Sequence, residues 1–254
     1  MLIKFNEYLV QAQFEPISSF RLKDDLNSKI WTNFNLDQEI RENLIQIGED
    51  FYEKLELGNE VIDIVLCGSL CNYNWSEKYS DFDLHIIINF SDIDENYELV
   101  EKLVDYAKKL WNNEHDIQLL GYDVEVAIQD EKDLMSSIKA GRMGGVFSLM
   151  KDEWIKKPVR EDFVPDEDLI RKKAENIMLQ VNEIEDQFHE GVSYDKLISK
   201  IKKVWKKIKE GRQRGLEEEG EYATENLVFK LLRRNGYIER IMDVRKKSYD
   251  KQFK

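Results

Sequence analysis

The chain has 254 residues, 42% hydrophobic and 11% aromatic, which is enough for one large core or two modest ones and too apolar for a disordered chain. Its 51 acidic residues against 38 basic give a net charge of −13, which argues against a general nucleic-acid coat because an acidic surface repels phosphate. With 3 prolines, 12 glycines and 2 cysteines, collagen-like, low-complexity and disulfide-scaffold chains are excluded.

Residues 1–36 read as a short amphipathic start followed by irregular chain, broken by Pro16 and by Asn27-Ser28, an extension expected to pack on the core. From Leu36 to Leu57, Ile40, Leu44, Ile47, Phe51 and Leu55 recur every three or four residues, which predicts a helix with Asp37 as its cap and Gly58 as its stop. Val61 to Leu66 is a β-branched run between Gly58 and Gly68 and reads as a buried strand. Phe82 to Phe90 predicts a second strand. Glu95 to Trp111 predicts a helix whose apolar stripe is Leu99, Leu103, Tyr106 and Leu110. Tyr122 to Ile128 begins with the period of a half-exposed strand, and Val146 to Met150 predicts another short one.

After Pro158 the pattern turns helical. Asp166, Glu167 and Asp168 place acids where a helix dipole favours them. Helices follow with Ile170, Ala174, Ile177 and Val181, then Leu197, Ile201, Val204 and Ile208, then Leu227, Val228 and Leu231, with Gly236 before a last one. The expected organisation is therefore α+β, with a mixed-sheet part over residues 37–160 and an α-helical part over 161–254. No apolar run approaches the roughly 18 residues of a membrane helix, and Met1 to Glu7 lacks a signal-peptide core. A cytoplasmic protein without membrane partners is expected.

The chemistry concentrates in Val65-Leu66-Cys67-Gly68-Ser69-Leu70, then ten residues, then Asp81-Phe82-Asp83-Leu84-His85. A strand ending in Gly-Ser lets backbone approach a phosphate, with amides and the Ser69 hydroxyl as donors. Asp81 and Asp83 lie two apart, so period two sets both carboxylates on one strand face. Their mutual repulsion is relieved by a divalent cation, and oxygen-only ligands suit Mg²⁺ or Mn²⁺. A third acid on a neighbouring strand would complete a two-ion site. Glu125 is the first candidate, and Asp123, two residues earlier on the same face, is its rival.

Gly-Ser, a gap of about a dozen residues, apolar-flanked Asp-x-Asp and a later apolar-acid-apolar strand resemble the polymerase β-type nucleotidyltransferase superfamily over about residues 58–130. More narrowly, Gly68 to His85 resembles uncharacterised nucleotidyltransferase-like proteins of tailed bacteriophages, with looser likeness over Leu26–Phe51 and Glu225–Ile238. The resemblance implies a mixed-sheet nucleotidyltransferase core followed by the helical domain, with the active site in a cleft between them. It implies transfer of a nucleoside monophosphate from a nucleoside triphosphate, with release of pyrophosphate. Gly68 and Ser69 would contact the nucleotide's β- and γ-phosphates. Asp81 and Asp83 would bind two metal ions, and Glu125 would bind the catalytic ion and help activate the acceptor hydroxyl. The family more often has Asp at the third position, so Glu125 and Asp123 both stay open. A phage origin would place the protein in the host cytoplasm. A catalytically decayed nucleotide- or RNA-binding module of the same fold is the alternative.

His85 shares the strand face of the aspartates and is expected to pair with an acid. Cys67 and Cys71 are expected as small buried groups, since two further zinc ligands are missing. Tyr73, Trp75 and Tyr79 are expected to pack their loop down rather than stack on a base. Gly141 to Gly145 reads as a turn before a strand. Lys200, Lys202, Lys203, Lys206, Lys207, Lys209, Arg212 and Arg214 reverse the chain's charge locally. They are either a solvated helix face or a patch for phosphate, with RNA among the acceptors such a patch would serve.

Overall fold

The computed structural model describes residues 15–58 and 60–253. The amphipathic start expected of the extension lies, as far as residue 14, outside the described residues. The chain divides into two compact units, one spanning Leu22–Asp162 and the other built from the described residues on either side of it.

The first unit opens with a two-stranded ribbon, β1 (Trp31–Thr32) and β2 (Asn35–Leu36), and helix α1 (Gln38–Glu53). Asp37 caps α1 by accepting from the amides of Glu39 and Ile40. Then come β3 (Asp63–Cys67), β4 (Phe82–Ile88), α2 (Tyr97–Glu114), β5 (Gln118–Leu119), β6 (Tyr122–Asp130), α3 (Glu131–Lys139), β7 (Val146–Ser148) and β8 (Glu153–Lys156). The six-stranded sheet has the order β5-β6-β4-β3-β7-β8. Only β4 and β6 run parallel, which requires a crossover, and α2 supplies it. The sheet is therefore mixed, and helices follow it, as the α+β reading expects.

Alternation along the strands gives the sheet two unlike faces. Leu66, Phe82, Leu84, Ile86, Val126 and Ile128 turn to a large core shared with Leu44 and Phe51 of α1 and Val100, Val104 and Trp111 of α2. Val65, Cys67 and Ile87 turn the other way, to a small cluster with Leu134 of α3 and Val146. Asp83 and Glu125, odd-numbered neighbours on these strands, share this second face.

One expectation needs correcting. Leu99, Leu103, Tyr106 and Leu110 do form a stripe on α2, but an exposed one, with Tyr106 71% accessible. The buried stripe is Val100, Val104 and Trp111, with Ala107 packed beside it.

The second unit holds a 3-10 turn (Glu15–Phe20) and four helices, α4 (Glu167–His189), α5 (Tyr194–Glu218), α6 (Thr224–Arg234) and α7 (Tyr237–Lys251). Asp166 caps α4 through the Leu169 amide, and Gly236 turns the chain into α7 with a φ of +73°. Ile17 and Phe20 join Ile170, Ile177, Ile201, Leu231 and Ile241 in one core. Arg234 ties the 3-10 turn to α6, donating to the Ser19 hydroxyl and stacking on Phe20 at 4.6 Å. Among the described residues, no helix is long and apolar enough to cross a membrane.

Candidate metal centre

The site begins where β3 ends. At Gly68 the backbone takes a φ of +76°, a region L side chains avoid, and enters a single 3-10 turn over Ser69–Cys71. A Cβ placed on Gly68 would lie 1.7 Å from Oδ2 of Asp83, so the turn rests directly against that carboxylate. Only glycine satisfies both the dihedral and the contact.

The chain from Ser69 to Ser80 folds back on itself. The Ser69 and Ser80 hydroxyls are 2.7 Å apart, and Ser80 Oγ also accepts from the Ser76 amide at 2.9 Å. This closes the loop immediately before Asp81. The Trp31 indole donates to the Leu70 carbonyl and the Trp75 indole to the Asp25 carbonyl, while Tyr73 and Trp75 pack on the large core. Those two aromatics hold the loop down, as expected; Tyr79 carries the Lys78 ammonium 5.2 Å above its ring.

Strand register then gathers the acids. Asp83 stands opposite Cys67 in β3 and opposite Glu125 in β6. Asp81, Asp83 and Glu125 each present one carboxylate oxygen, and the three oxygens lie within 4.8 Å of one another. The two aspartates are half-buried and Glu125 is exposed, so the group is open to solvent on one side. Asp123 lies outside this group, its carboxylate accepting from Gln118 Nε2 at 2.7 Å.

The donor set fits a hard cation. Three anionic oxygens this close repel one another strongly, and a divalent ion removes that repulsion. Oxygen-only donors with an open side suit Mg²⁺ or Mn²⁺, which keep water or phosphate among their ligands. The neighbouring sulfurs do not compete. Burial pushes the Cys71 thiol well above its usual range, and the Asp83 charge pushes it further, so it stays protonated. The Cys67 thiol hydrogen-bonds the Asp83 carbonyl at 3.6 Å.

His85 pairs with an amide, its Nδ1 lying 2.8 Å from Gln129 Oε1, rather than with an acid. Burial lowers its pKa, the Gln129 bond opposes that, and the Lys108 charge adds to the lowering. Sequence reasoning also missed the role of Gly144 and Gly145. A Cβ on Gly145 would lie 2.0 Å from the Cys71 carbonyl oxygen, and one on Gly144 would lie 2.3 Å from Asn72 Nδ2. The paired glycines thus let the approach to β7 press against the back of the 69–72 turn. A doublet of glycines before an apolar run was the only available signal.

No family model and no curated protein matches the chain. Among solved structures, a STING-associated CdnE c-di-GMP synthase from Capnocytophaga granulosa is similar at 13% identity and a TM-score of 0.23, covering 85% of this chain and 84% of that one. A superposition that weak assigns neither fold family nor activity.

Proposed function

We propose that the chain is a divalent-metal-dependent nucleotidyltransferase of the polymerase β type, moving a nucleoside monophosphate from a nucleoside triphosphate to an acceptor hydroxyl. The observation that carries this reading is the register that sets Asp83 against Glu125, beside Asp81 and beneath the Gly68-Ser69 turn. A clustered acidic triad beside a glycine turn is the minimum such chemistry needs.

In this reading Asp81 and Asp83 would hold two ions, and Glu125 would join them in holding the catalytic one. Bound there, Mg²⁺ or Mn²⁺ supplies charge neutralisation for the triphosphate and a lowered pKa for the acceptor hydroxyl. The Cys71 and Asn72 amides close the turn on the Gly68 and Ser69 carbonyls, and half-buried Ser69 offers its amide and hydroxyl to β- and γ-phosphate oxygens. Ser80 can donate to Ser69 Oγ, which leaves the Ser69 proton for the nucleotide. Glu125, the most open of the three acids, receives or directs the acceptor's proton. The acceptor oxygen bonds to the α-phosphorus, the bond from that phosphorus to the bridging oxygen breaks, and pyrophosphate leaves. Catalysis is assigned to residues 37–160, with 1–36 as an extension and 161–254 as a helical domain. The exposed Lys202, Lys203, Lys206 and Lys209 on α5 offer a surface for an RNA acceptor.

The rival reading is a nucleotide- or RNA-binding module of this fold without turnover. The completeness of the triad favours the enzyme. The test is incubation of the full chain with each α-labelled nucleoside triphosphate and Mg²⁺ or Mn²⁺. Metal-dependent pyrophosphate release with label appearing in an RNA, protein or small-molecule fraction is expected. Nucleotide binding with no release would transfer the assignment to the rival.

A further inference from the structure

The basic run of α5 does not end as a flat stripe. Its last turns help line a cavity of about 490 Å³ inside the helical unit, between α4, α5 and α6. That volume lies in the range of small-ligand pockets. The floor is apolar, formed by Ile177, Ile208, Val228 and Leu232. Gly211 of α5 lines the cavity. A Cβ on Gly211 would meet only Glu225 Cγ, at 3.6 Å, so space that a larger side chain would fill is left open.

The wall is cationic. Lys172, Lys173, Lys207, Arg212 and Arg214 line it against a single carboxylate, Glu225. Lys173 pairs with Glu225 at 2.5 Å, and among the described residues Lys172, Lys207, Arg212 and Arg214 enter no ion pair. Arg214 also acts on Glu225 through its charge, so on a chain of net charge −13 the cavity sets five cations against one carboxylate, a local inversion. Arg212 is the centre of it. Its guanidinium lies 4.1 Å from the Phe229 ring and its Nε donates to Asn226 Oδ1 at 3.1 Å, which leaves its remaining N–H groups unassigned. Burial lowers its pKa, and the charge of Arg233 lowers it further, so the fold holds this cation without the counter-charge that would stabilise it.

We infer that this cavity is a binding site for a small phosphate monoester with an apolar or aromatic body. The phosphate supplies the missing counter-charge through the Arg212 fork and the flanking lysines. The body lies on the apolar floor. An extended nucleic acid fits less well, because the cations converge on a concavity of small-molecule size. The inference stands on the helical unit alone and does not depend on the nucleotidyltransferase reading.

The probe is 1-naphthyl phosphate, titrated into the full chain by calorimetry with EDTA present, so that no metal-bound phosphate contributes. Saturable binding is expected, at least tenfold tighter than for 1-naphthol or inorganic phosphate. Lys172→Glu with Lys207→Glu should weaken it at least tenfold, while Lys246→Glu with Lys247→Glu, an equal charge change on α7, should leave it within twofold. Because Arg212 also holds Asn226, Gly211→Leu is the second variant: it narrows the cavity without removing charge and should weaken binding at least tenfold, with helical circular dichroism retained. Absence of saturable binding overturns the inference. So does equal weakening by the α7 pair, or wild-type affinity in the folded Gly211→Leu protein. Tight binding of an oligoribonucleotide that the cavity variants weaken, with no binding of the naphthyl probe, would reassign the surface to nucleic acid.

Discussion

At the scale of single residues, the candidate metal centre rests on three neighbouring carboxylates whose repulsion a divalent cation would relieve. Asp81→Asn and Asp83→Asn each remove one negative ligand while keeping shape. Each should abolish pyrophosphate release, and the melting temperature in EDTA should stay level or rise because repulsion is relieved. Full transfer activity in Asp81→Asn would remove the aspartates from the site. The third acid is tested by comparison. Glu125 is within the cluster, whereas Asp123 is engaged by Gln118. Glu125→Gln should therefore cost at least about a hundredfold in transfer rate and Asp123→Asn less than about threefold, a difference of about 2 kcal/mol or more in barrier at roughly 1.4 kcal/mol per decade. The reverse ranking in steady-state assays would move the role to Asp123. Gly68 is tested differently. Gly68→Ala forces a side chain into φ of +76° and against Asp83, and should destabilise the chain by about 1–3 kcal/mol in urea while eliminating transfer. Unchanged stability would mean that the turn is not held as described.

At the scale of elements, helix α2 shows how far periodicity reaches. Leu99, Leu103, Tyr106 and Leu110 and the set Val100, Val104, Ala107 and Trp111 both repeat at helical spacing. They differ by one residue, about 100° around the axis. A helix with two apolar stripes can be buried on either, and the sequence alone does not rank them. The sheet ranks them: β-branched Val100 and Val104 with the large Trp111 fill the space over β6. Val104→Ala should cost roughly 1–3 kcal/mol in denaturant unfolding, and Leu103→Lys less than about 0.5 kcal/mol. Equal costs would mean that the exposed stripe is covered. A cap, by contrast, is readable. Asp37 precedes a helical period and accepts from the amides that open α1, because an N-cap needs only a few consecutive residues, whereas the sequence marks Asp166 only as an acid at a helix start and the structure makes it the cap of α4.

At the scale of the whole molecule, the two units carry features of opposite charge. The sheet unit offers an anionic, metal-demanding face, and the helical unit carries the cationic run of α5. Some of that run is compensated locally, with Lys200 bonded to Glu183 at 2.8 Å and Lys206 near Glu210 at 3.7 Å. If the remainder holds a polyanionic acceptor, acceptor binding should weaken steeply between 50 and 200 mM salt, about a tenfold loss or more for a few phosphate contacts. Reversing charge at Lys202, Lys203 and Lys206 should then raise the acceptor's KM and leave the triphosphate's KM within about twofold of its starting value. A flat salt titration would leave α5 a solvated face outside its cavity, and would turn the search for an acceptor toward proteins and small molecules.

What the sequence determined by itself is local. β3 is legible as a β-branched run between Gly58 and Gly68, β4 as a mostly apolar run after Asp83, the helices other than α3 as three-to-four periods, and Gly68, Ser69, Asp81 and Asp83 as one constellation because fewer than twenty residues separate them. Only the tertiary structure decided matters that depend on strands and helices distant in sequence. The parallel register of β4 on β6 chose Glu125 over Asp123 as the acid beside Asp83, since period two puts both on the same face and cannot tell them apart. The return of the chain before β7 gave Gly144 and Gly145 their purpose against the 69–72 turn. The convergence of α4, α5 and α6 sets Lys207, Arg212 and Arg214 around a half-open cavity. Helical and strand periods record which side of an element is apolar. They carry no information on which neighbour that side meets, and that pairing is settled by packing free energy summed over the whole core.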